Sequence, residues 1–127
     1  MDDVRLPTGL WVMAHVRQCN DKLIPAMVLQ KGDPDRGTVM IKLSRIPLED
    51  SGSFPPQTGC RVLTQTLDLD GKRAWMRLGI PRGLDDKILS EEEAAPLIRR
   101  AMERDPDLWV VEIEDPEGNN PFEGEIL

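Results

Sequence analysis

The sequence contains few of the residue types that usually carry catalysis. Its 127 residues include one histidine, two cysteines and no tyrosine, and aromatic residues make up 4% of the chain. A nucleophilic triad would have to use His15, and the Gly-x-Ser-x-Gly motif that often surrounds a catalytic serine is absent. We find no complete catalytic constellation, so the composition favours a protein that is not an enzyme.

Long apolar segments are also missing. No run approaches the roughly 20 apolar residues that span a bilayer. The acidic start Met1-Asp2-Asp3-Val4 lacks the positive charge of a secretory signal. We therefore expect a cytoplasmic protein with no membrane partner. A chain of this length buries roughly two-thirds of its unfolded surface on folding, so its stability requires no metal and no cofactor.

Positive charge is absent from the last part of the chain. Residues 105–127 hold eight acidic side chains and no Lys or Arg, whereas residues 1–104 hold 16 basic and 15 acidic side chains. Nucleic-acid binding needs a clustered positive field, so we expect no nucleic-acid partner. Eleven of the 16 basic residues are Arg, which suits local contacts with carboxylate or phosphate groups as well as surface ion pairs.

The two cysteines, Cys19 and Cys60, allow two interpretations. Because cytoplasmic thiols are normally kept reduced, we expect small half-buried residues and no disulfide. His15 lies four residues before Cys19, so on a helix the two would face the same way and could offer two metal ligands. Cys60 would be a third ligand only if the fold brought it close, and a packed apolar face is favoured.

The first periodic segment, residues 9–20, fits either a helix or a strand. Apolar residues at positions 10, 13, 14 and 16 fit a helix with Thr8 as its N-cap. Positions 10, 12, 14 and 16 alternate like a strand. We favour the helix.

Two β-hairpins are predicted in the middle of the chain. The four strands are residues 26–31, 38–45, 60–67 and 72–78. The loop Gly32–Gly37 joins the first pair, and Asp70-Gly71 supplies the turn of the second. Residues 46–59, with Pro47, Gly52, Pro55, Pro56 and Gly59, are expected to form a loop.

A helix and a strand are predicted in the last third of the chain. Ser90 and Glu93 match a capping box at the start of the helix, with Pro96 as an alternative start of its regular part. Asp105-Pro106 ends this helix. The strand at residues 108–114 places Trp109, Val111 and Ile113 on its buried face.

Together these elements predict an α+β fold. The sheet has about five strands and is mainly antiparallel, built from two hairpins plus the C-terminal strand, with two helices packed on one face. We expect a single domain over residues 1–127. Its ordered body covers about residues 5–115, and residues 116–127 form a mobile acidic tail.

Four separated motifs resemble a known family. They are Arg5-Leu6-Pro7-Thr8, Lys31-Gly32-Asp33-Pro34-Asp35-Arg36-Gly37-Thr38, Asp70-Gly71-Lys72-Arg73-Ala74-Trp75 and, above all, Asp105-Pro106-Asp107-Leu108-Trp109-Val110-Val111-Glu112-Ile113-Glu114. In this order they resemble a family of small alphaproteobacterial proteins known as domain of unknown function number 1491, over about residues 5–115. The resemblance implies a helix at the first segment and brings no activity, ligand or partner with it.

Two loops have some features of ion-binding segments. Asp68, Asp70 and Gly71 echo the start of a calcium loop, but the closing glutamate is missing and a strand follows, so a turn is favoured. The loop Gly32–Gly37 is flanked by glycines, as phosphate-binding loops are. It lacks Gly-Lys-Ser/Thr, and its two Asp would repel an anion, so a plain hairpin loop is favoured.

A pair of carboxylates lies on one face of the last strand. Glu112 and Glu114 are two positions apart, roughly 7 Å along a strand. They could serve acid–base chemistry or hold a divalent ion. With no His, Lys or third carboxylate at a readable spacing, a solvated strand face is favoured.

Two hypotheses of function follow. The favoured one is a non-enzymatic protein-interaction module, with a homodimer as one form, which docks its partner through a sheet edge or an exposed Trp and Arg patch. Trp75 and Trp109 are its candidate anchors. The alternative is a small ligand-binding domain or enzyme with a site at the hairpin loops near Asp33, Arg36 and Arg73. A concave pocket containing at least two of these three side chains would favour the alternative.

Overall fold

The computed structural model describes residues 6–48 and 57–127, in which two helices and six strands form an α+β fold. The elements are α1 (Thr8–Asp21), β1 (Ala26–Gln30), β2 (Val39–Pro47), β3 (Thr58–Leu67), β4 (Arg73–Leu78), α2 (Glu91–Arg104), β5 (Trp109–Glu114) and β6 (Glu125–Ile126). The acidic start, Arg5 and positions 49–56 of the loop expected at 46–59 lie outside the described residues. At the described ends of that loop the prediction was wrong, because β2 continues to Pro47 and β3 begins at Thr58. Neither helix in the described ranges has the length and apolar character that crossing a bilayer requires.

The sheet is mixed, and the expected first hairpin is not formed. The strand order is β1-β5-β2-β3-β4-β6, so β5 lies between β1 and β2. β5 pairs antiparallel with β1 and parallel with β2. Val110 and Val111 point to opposite faces and are both fully buried, so both faces of β5 are covered, as is usual for a strand in the interior of a sheet. The prediction of a mainly antiparallel, five-stranded sheet was therefore wrong.

The second hairpin is confirmed. β3 and β4 pair antiparallel, with Leu67 opposite Arg73 at the turn. The Asp68 carboxylate accepts hydrogen bonds from the amides of Asp70 and Lys72 at 2.8 and 2.9 Å, and Gly71 has φ 78°. The aspartate thus closes the turn through the backbone, as the turn interpretation predicted.

The two helices pack on opposite faces of the sheet, and the prediction that both cover one face was wrong. On the α1 face, Val12 and Val16 pack against alternate residues of the central strands, including Ile41 and Val111. On the α2 face, a second cluster contains the intervening strand residues with α2: Met40, Cys60, Val62, Leu89, Ala94, Ile98, Leu108 and Val110. Because the central strands are apolar on both sides, each side needs its own helix.

The helix ends agree with the sequence in part. The helix interpretation of residues 9–20 is confirmed, but Pro7 occupies the N-cap position, which places Thr8 inside the helix. The capping box of Ser90 and Glu93 is confirmed, with both hydrogen bonds at 3.0 Å. α2 continues through Pro96 without interruption.

The C-terminal segment, expected to be a mobile tail, packs against the body. Phe122 is buried in the α1-side core, and Glu125–Ile126 forms β6 beside β4. Gly118 is also buried. Residues 116–127 are mostly polar, so their composition predicted a mobile tail. The burial of Phe122, the one aromatic residue among them, favours an ordered segment instead.

Candidate ligand-binding cleft

A cleft of about 570 Å³ opens where the N-terminus of α1 meets the ends of β2, β3 and β4. It is lined by Leu6, Pro7, Thr8, Asp35, Arg36, Gly37, Thr38, Gln65, Thr66, Leu67 and Arg73. We call it the Arg36–Arg73 cleft. Its volume lies within the range of small-molecule sites. Two of the three side chains that the alternative hypothesis named, Arg36 and Arg73, are therefore brought together.

The loop that carries Arg36 is fixed by hydrogen bonds within itself and to α1. The Asp33 carboxylate accepts hydrogen bonds from the amides of Asp35 and Arg36 at 2.8 and 3.3 Å. The amide of Gly9 donates to the carbonyl of Pro34 at 2.8 Å. This wall of the cleft is consequently preorganised, which lowers the entropy cost of binding a ligand.

Trp109 also holds the loop that carries Arg36. Its indole N–H donates to the carbonyl of Asp33 at 2.7 Å, and its side chain is 5% exposed. Gly32 and Gly37 let the loop approach the helix-to-strand junction closely, since a Cβ at either position would lie 2.1 or 2.3 Å from the carbonyl oxygen of Asp107. Asp33 and Trp109 therefore support the cleft and do not line it.

Arg73 forms the opposite wall. Its guanidinium carbon lies 4.3 Å from the centre of the Trp11 ring, and its Nη1 lies 3.7 Å from Oε2 of Glu123. The Arg73 side chain is 22% exposed. The contact with the buried Trp11 ring favours this orientation of the guanidinium, and the more exposed Glu123 adds a weaker attraction.

Trp75 positions the segment that carries Glu123. Its indole N–H donates to the carbonyl of Glu123 at 3.0 Å, and its side chain is completely buried. At Gly124, φ is 126° and a Cβ would lie 2.8 Å from the same indole nitrogen. Neither Trp75 nor Trp109 is available as an exposed interface anchor in this structure.

Several lining residues could not be recognised in the sequence. Thr8, Gln65 and Thr66 add two hydroxyls and an amide, and Leu6 and Leu67 add apolar surface. Gln65 is partly committed, since its Oε1 accepts a hydrogen bond from the amide of Val39 at 3.1 Å. The only signal available beforehand was the closeness of these residues to element ends, where ligand sites often occur.

The groups considered as metal ligands are used in packing. His15 stacks on Phe122, with ring centres 4.5 Å apart, and its Nδ1 lies 2.8 Å from the carbonyl of Trp11. Cys19 is 2% exposed, more buried than the half-buried state expected. Within residues 6–48 and 57–127, no three or more His, Cys, Asp or Glu side chains are grouped so that they could hold a metal ion.

Glu112 and Glu114 are paired with different cations. Glu112 lies 3.1 Å from Lys42, which also contacts Glu91 of α2 at 2.7 Å, whereas Glu114 lies 3.8 Å from Arg45. Burial lowers the pKa of Lys42, but its hydrogen bonds with Glu91 and Glu112 outweigh this and raise the pKa. This cluster joins α2 to the sheet.

Comparison with known proteins places the chain in a family. The family model described as a protein of unknown function (DUF1491) matches residues 6–123. The chain belongs to the DUF1491 family. The resemblance carried by the four sequence motifs is thus confirmed. No curated protein matches the chain significantly.

Solved structures with the DUF1491 fold agree with this assignment. The crystal structure of a DUF1491 family protein from Caulobacter crescentus CB15 is 27% identical, with a TM-score of 0.74, and covers 97% of this chain and 100% of its own. An NMR structure of a DUF1491 family protein from the same organism is 28% identical, with a TM-score of 0.70, covering 98% and 99%. Protein Atu0922 from A. tumefaciens shares the fold at 23% identity and a TM-score of 0.59, covering 88% and 87%.

Proposed function

We propose that the protein binds a small organic anion in the Arg36–Arg73 cleft. The observation that carries this proposal is the meeting of two arginines, 37 positions apart in the sequence, in one concave site. Guanidinium groups match the geometry of carboxylate and phosphate oxygens. Thr38 and Thr66 also belong to the lining and carry hydroxyls that can donate a hydrogen bond, whereas the Thr8 hydroxyl already donates to the carbonyl of Asp35 at 3.3 Å.

The support around the cleft favours binding over a purely structural role. Asp33 and Trp109 fix the loop of Arg36, and Trp11 and Glu123 fix Arg73. A selective small-molecule site requires binding groups that are held in place by their neighbours, as Arg36 and Arg73 are here. We propose binding without chemical conversion, in the cytoplasm, as expected from the composition.

The test is an NMR titration of the isotopically labelled protein. The anions are acetate, hexanoate, inorganic phosphate and hexyl phosphate, each at millimolar concentration and constant ionic strength. We expect at least one of them to shift the backbone amides of Gly37, Thr38 and Thr66 in a saturable manner. The double substitution Arg36→Gln and Arg73→Gln should abolish this response.

A charge-matched control separates site binding from general attraction. Arg99 and Arg104 are exposed on α2, on the other face of the sheet, so changing both to Gln removes the same charge. This control should keep the response of the unmodified protein. If none of the four anions shifts cleft amides, or if both double variants lose binding equally, the proposal is wrong.

A second candidate function is protein interaction through the edge strand β1. β1 ends the sheet, and Met27 and Leu29 on this strand are 56% and 41% exposed. An open strand edge can pair with another chain, including a second copy of this one. Size-exclusion chromatography with light scattering would test the homodimer, since changing Met27 and Leu29 to Lys should convert a dimer into a monomer.

A further inference from the structure

The positive charge of the Arg36–Arg73 cleft is only partly available to a ligand. Arg73 shares its guanidinium with Glu123, at 3.7 Å, and Asp35 lines the cleft beside Arg36. These two arginines and two carboxylates together carry no net charge. Because Glu123 pairs with Arg73 and Asp35 belongs to the lining, a second negative charge on the ligand would be opposed by two carboxylates, so the arrangement favours a singly charged anion.

Part of the cleft lining is apolar. Leu6, Pro7 and Leu67 belong to its lining, and Leu6 and Leu67 are 50% and 55% exposed. A ligand with a hydrocarbon part would bury this surface as it binds. Each fully buried methylene strengthens binding about fourfold.

We infer that the ligand of the cleft is an amphipathic monocarboxylate, with its carboxylate at Arg36 and Arg73 and its hydrocarbon part against Leu6 and Leu67. This inference rests on the proposed anion-binding function and specifies its ligand class. A carboxylate carries one charge and two oxygens for a guanidinium fork. A phosphate monoester is mostly a dianion above its second pKa of about 6 and is disfavoured by Asp35 and Glu123.

The four anions of the titration separate these classes when dissociation constants are measured at about pH 8, where the phosphates are dianions. Hexanoate should bind at least about tenfold more tightly than acetate, because it adds four methylenes that the half-open cleft buries in part. Hexanoate should also bind more tightly than hexyl phosphate. Glu123→Gln should strengthen the binding of hexyl phosphate more than that of hexanoate, since it removes one of the two opposing charges.

The apolar wall has its own pair of variants. Leu67→Ala should weaken hexanoate about threefold or more and leave acetate unchanged. Leu69 is the control, because it is fully exposed on the β3–β4 turn and outside the cleft lining. Leu69→Ala should change neither constant.

The outcomes distinguish this inference from the proposal on which it rests. If hexyl phosphate binds more tightly than hexanoate, or hexanoate no more tightly than acetate, the inference is wrong while anion binding stands. If no anion reaches the cleft, both fail. Equal effects of Leu67→Ala and Leu69→Ala would also overturn the assigned position of the hydrocarbon part.

Discussion

The Arg73 guanidinium lies over the ring of Trp11 at 4.3 Å, and this contact joins β4 to α1 beside the cleft. Trp11 in turn stacks parallel to Trp75, with ring centres 6.5 Å apart and 8° between their planes. The Arg73 guanidinium, which we propose binds the anionic ligand, therefore packs against the aromatic core. Binding and stability are linked at this one side chain.

Replacing Arg73 by Lys should test this support. Lysine keeps the charge but loses the planar group that stacks on an indole, so we expect a loss of about 0.5–1 kcal/mol in the free energy of unfolding and an altered Trp fluorescence. Urea denaturation followed by fluorescence measures both. Arg99→Lys, at an exposed position of α2, should change neither. Identical behaviour of the two variants would contradict a stabilising role for the Arg73–Trp11 contact.

The loop of Arg36 should tolerate no side chain at position 32. A Cβ on Gly32 would lie 2.1 Å from the Asp107 carbonyl oxygen, so the loop or the junction must move. We expect Gly32→Ala to cost about 3 kcal/mol, the upper end of the usual cost of overpacking, because the clash is with backbone atoms. Gly83→Ala is the comparison. A Cβ at position 83 would meet open space, so this substitution costs only the backbone strain of an alanine at φ 88°, about 1 kcal/mol. Chemical denaturation of both variants measures the two losses in the free energy of unfolding. Equal losses would show that the close approach of position 32 to the Asp107 carbonyl does not matter for stability.

Local signals in the sequence predicted the local parts of the fold. The β3–β4 turn and the start of α2 depend on side chains within a few residues, such as Asp68 with Gly71 and Ser90 with Glu93. The position of β5 depends on packing between distant segments. Gln30, for example, donates to the carbonyls of Asp105 and Leu108 at 3.2 and 2.8 Å, contacts that no short-range pattern encodes.

The same distinction holds for the cleft. Arg36 and Arg73 could be named in advance because each lies near a predicted turn that carries charged side chains. Leu6, Thr66 and Leu67 could not, because their role depends on where α1 begins relative to the end of β3. Trp109 was expected to be in the core. Its hydrogen bond to the Asp33 carbonyl could not be predicted, because it depends on the position of β5 between β1 and β2.

The C-terminal segment should contribute strongly to stability through Phe122. This side chain is 2% exposed and contacts Trp11, His15 and Trp75. Phe122→Ala should cost about 3–5 kcal/mol, as other buried phenylalanines do. Leu127→Ala, at a half-exposed position in the same segment, should cost far less. If Phe122→Ala lowers the free energy of unfolding only slightly in urea denaturation, the segment is held loosely, as its polar composition suggests.

Cys60 should make the protein sensitive to alkaline pH. Burial first, and then the nearby Glu91, raise the pKa of its thiol from 9.0 to about 11, against an opposing effect of Lys42. Because the unfolded thiol loses its proton more readily, the stabilisation is complete below about pH 9 and is lost as the pH rises towards 11. Between about pH 8 and about pH 10 the unmodified protein should lose about 1 kcal/mol that Cys60→Ala does not lose. Urea denaturation of both proteins at the two pH values measures this difference, and parallel losses would show that the Cys60 thiol is not shielded in the folded state.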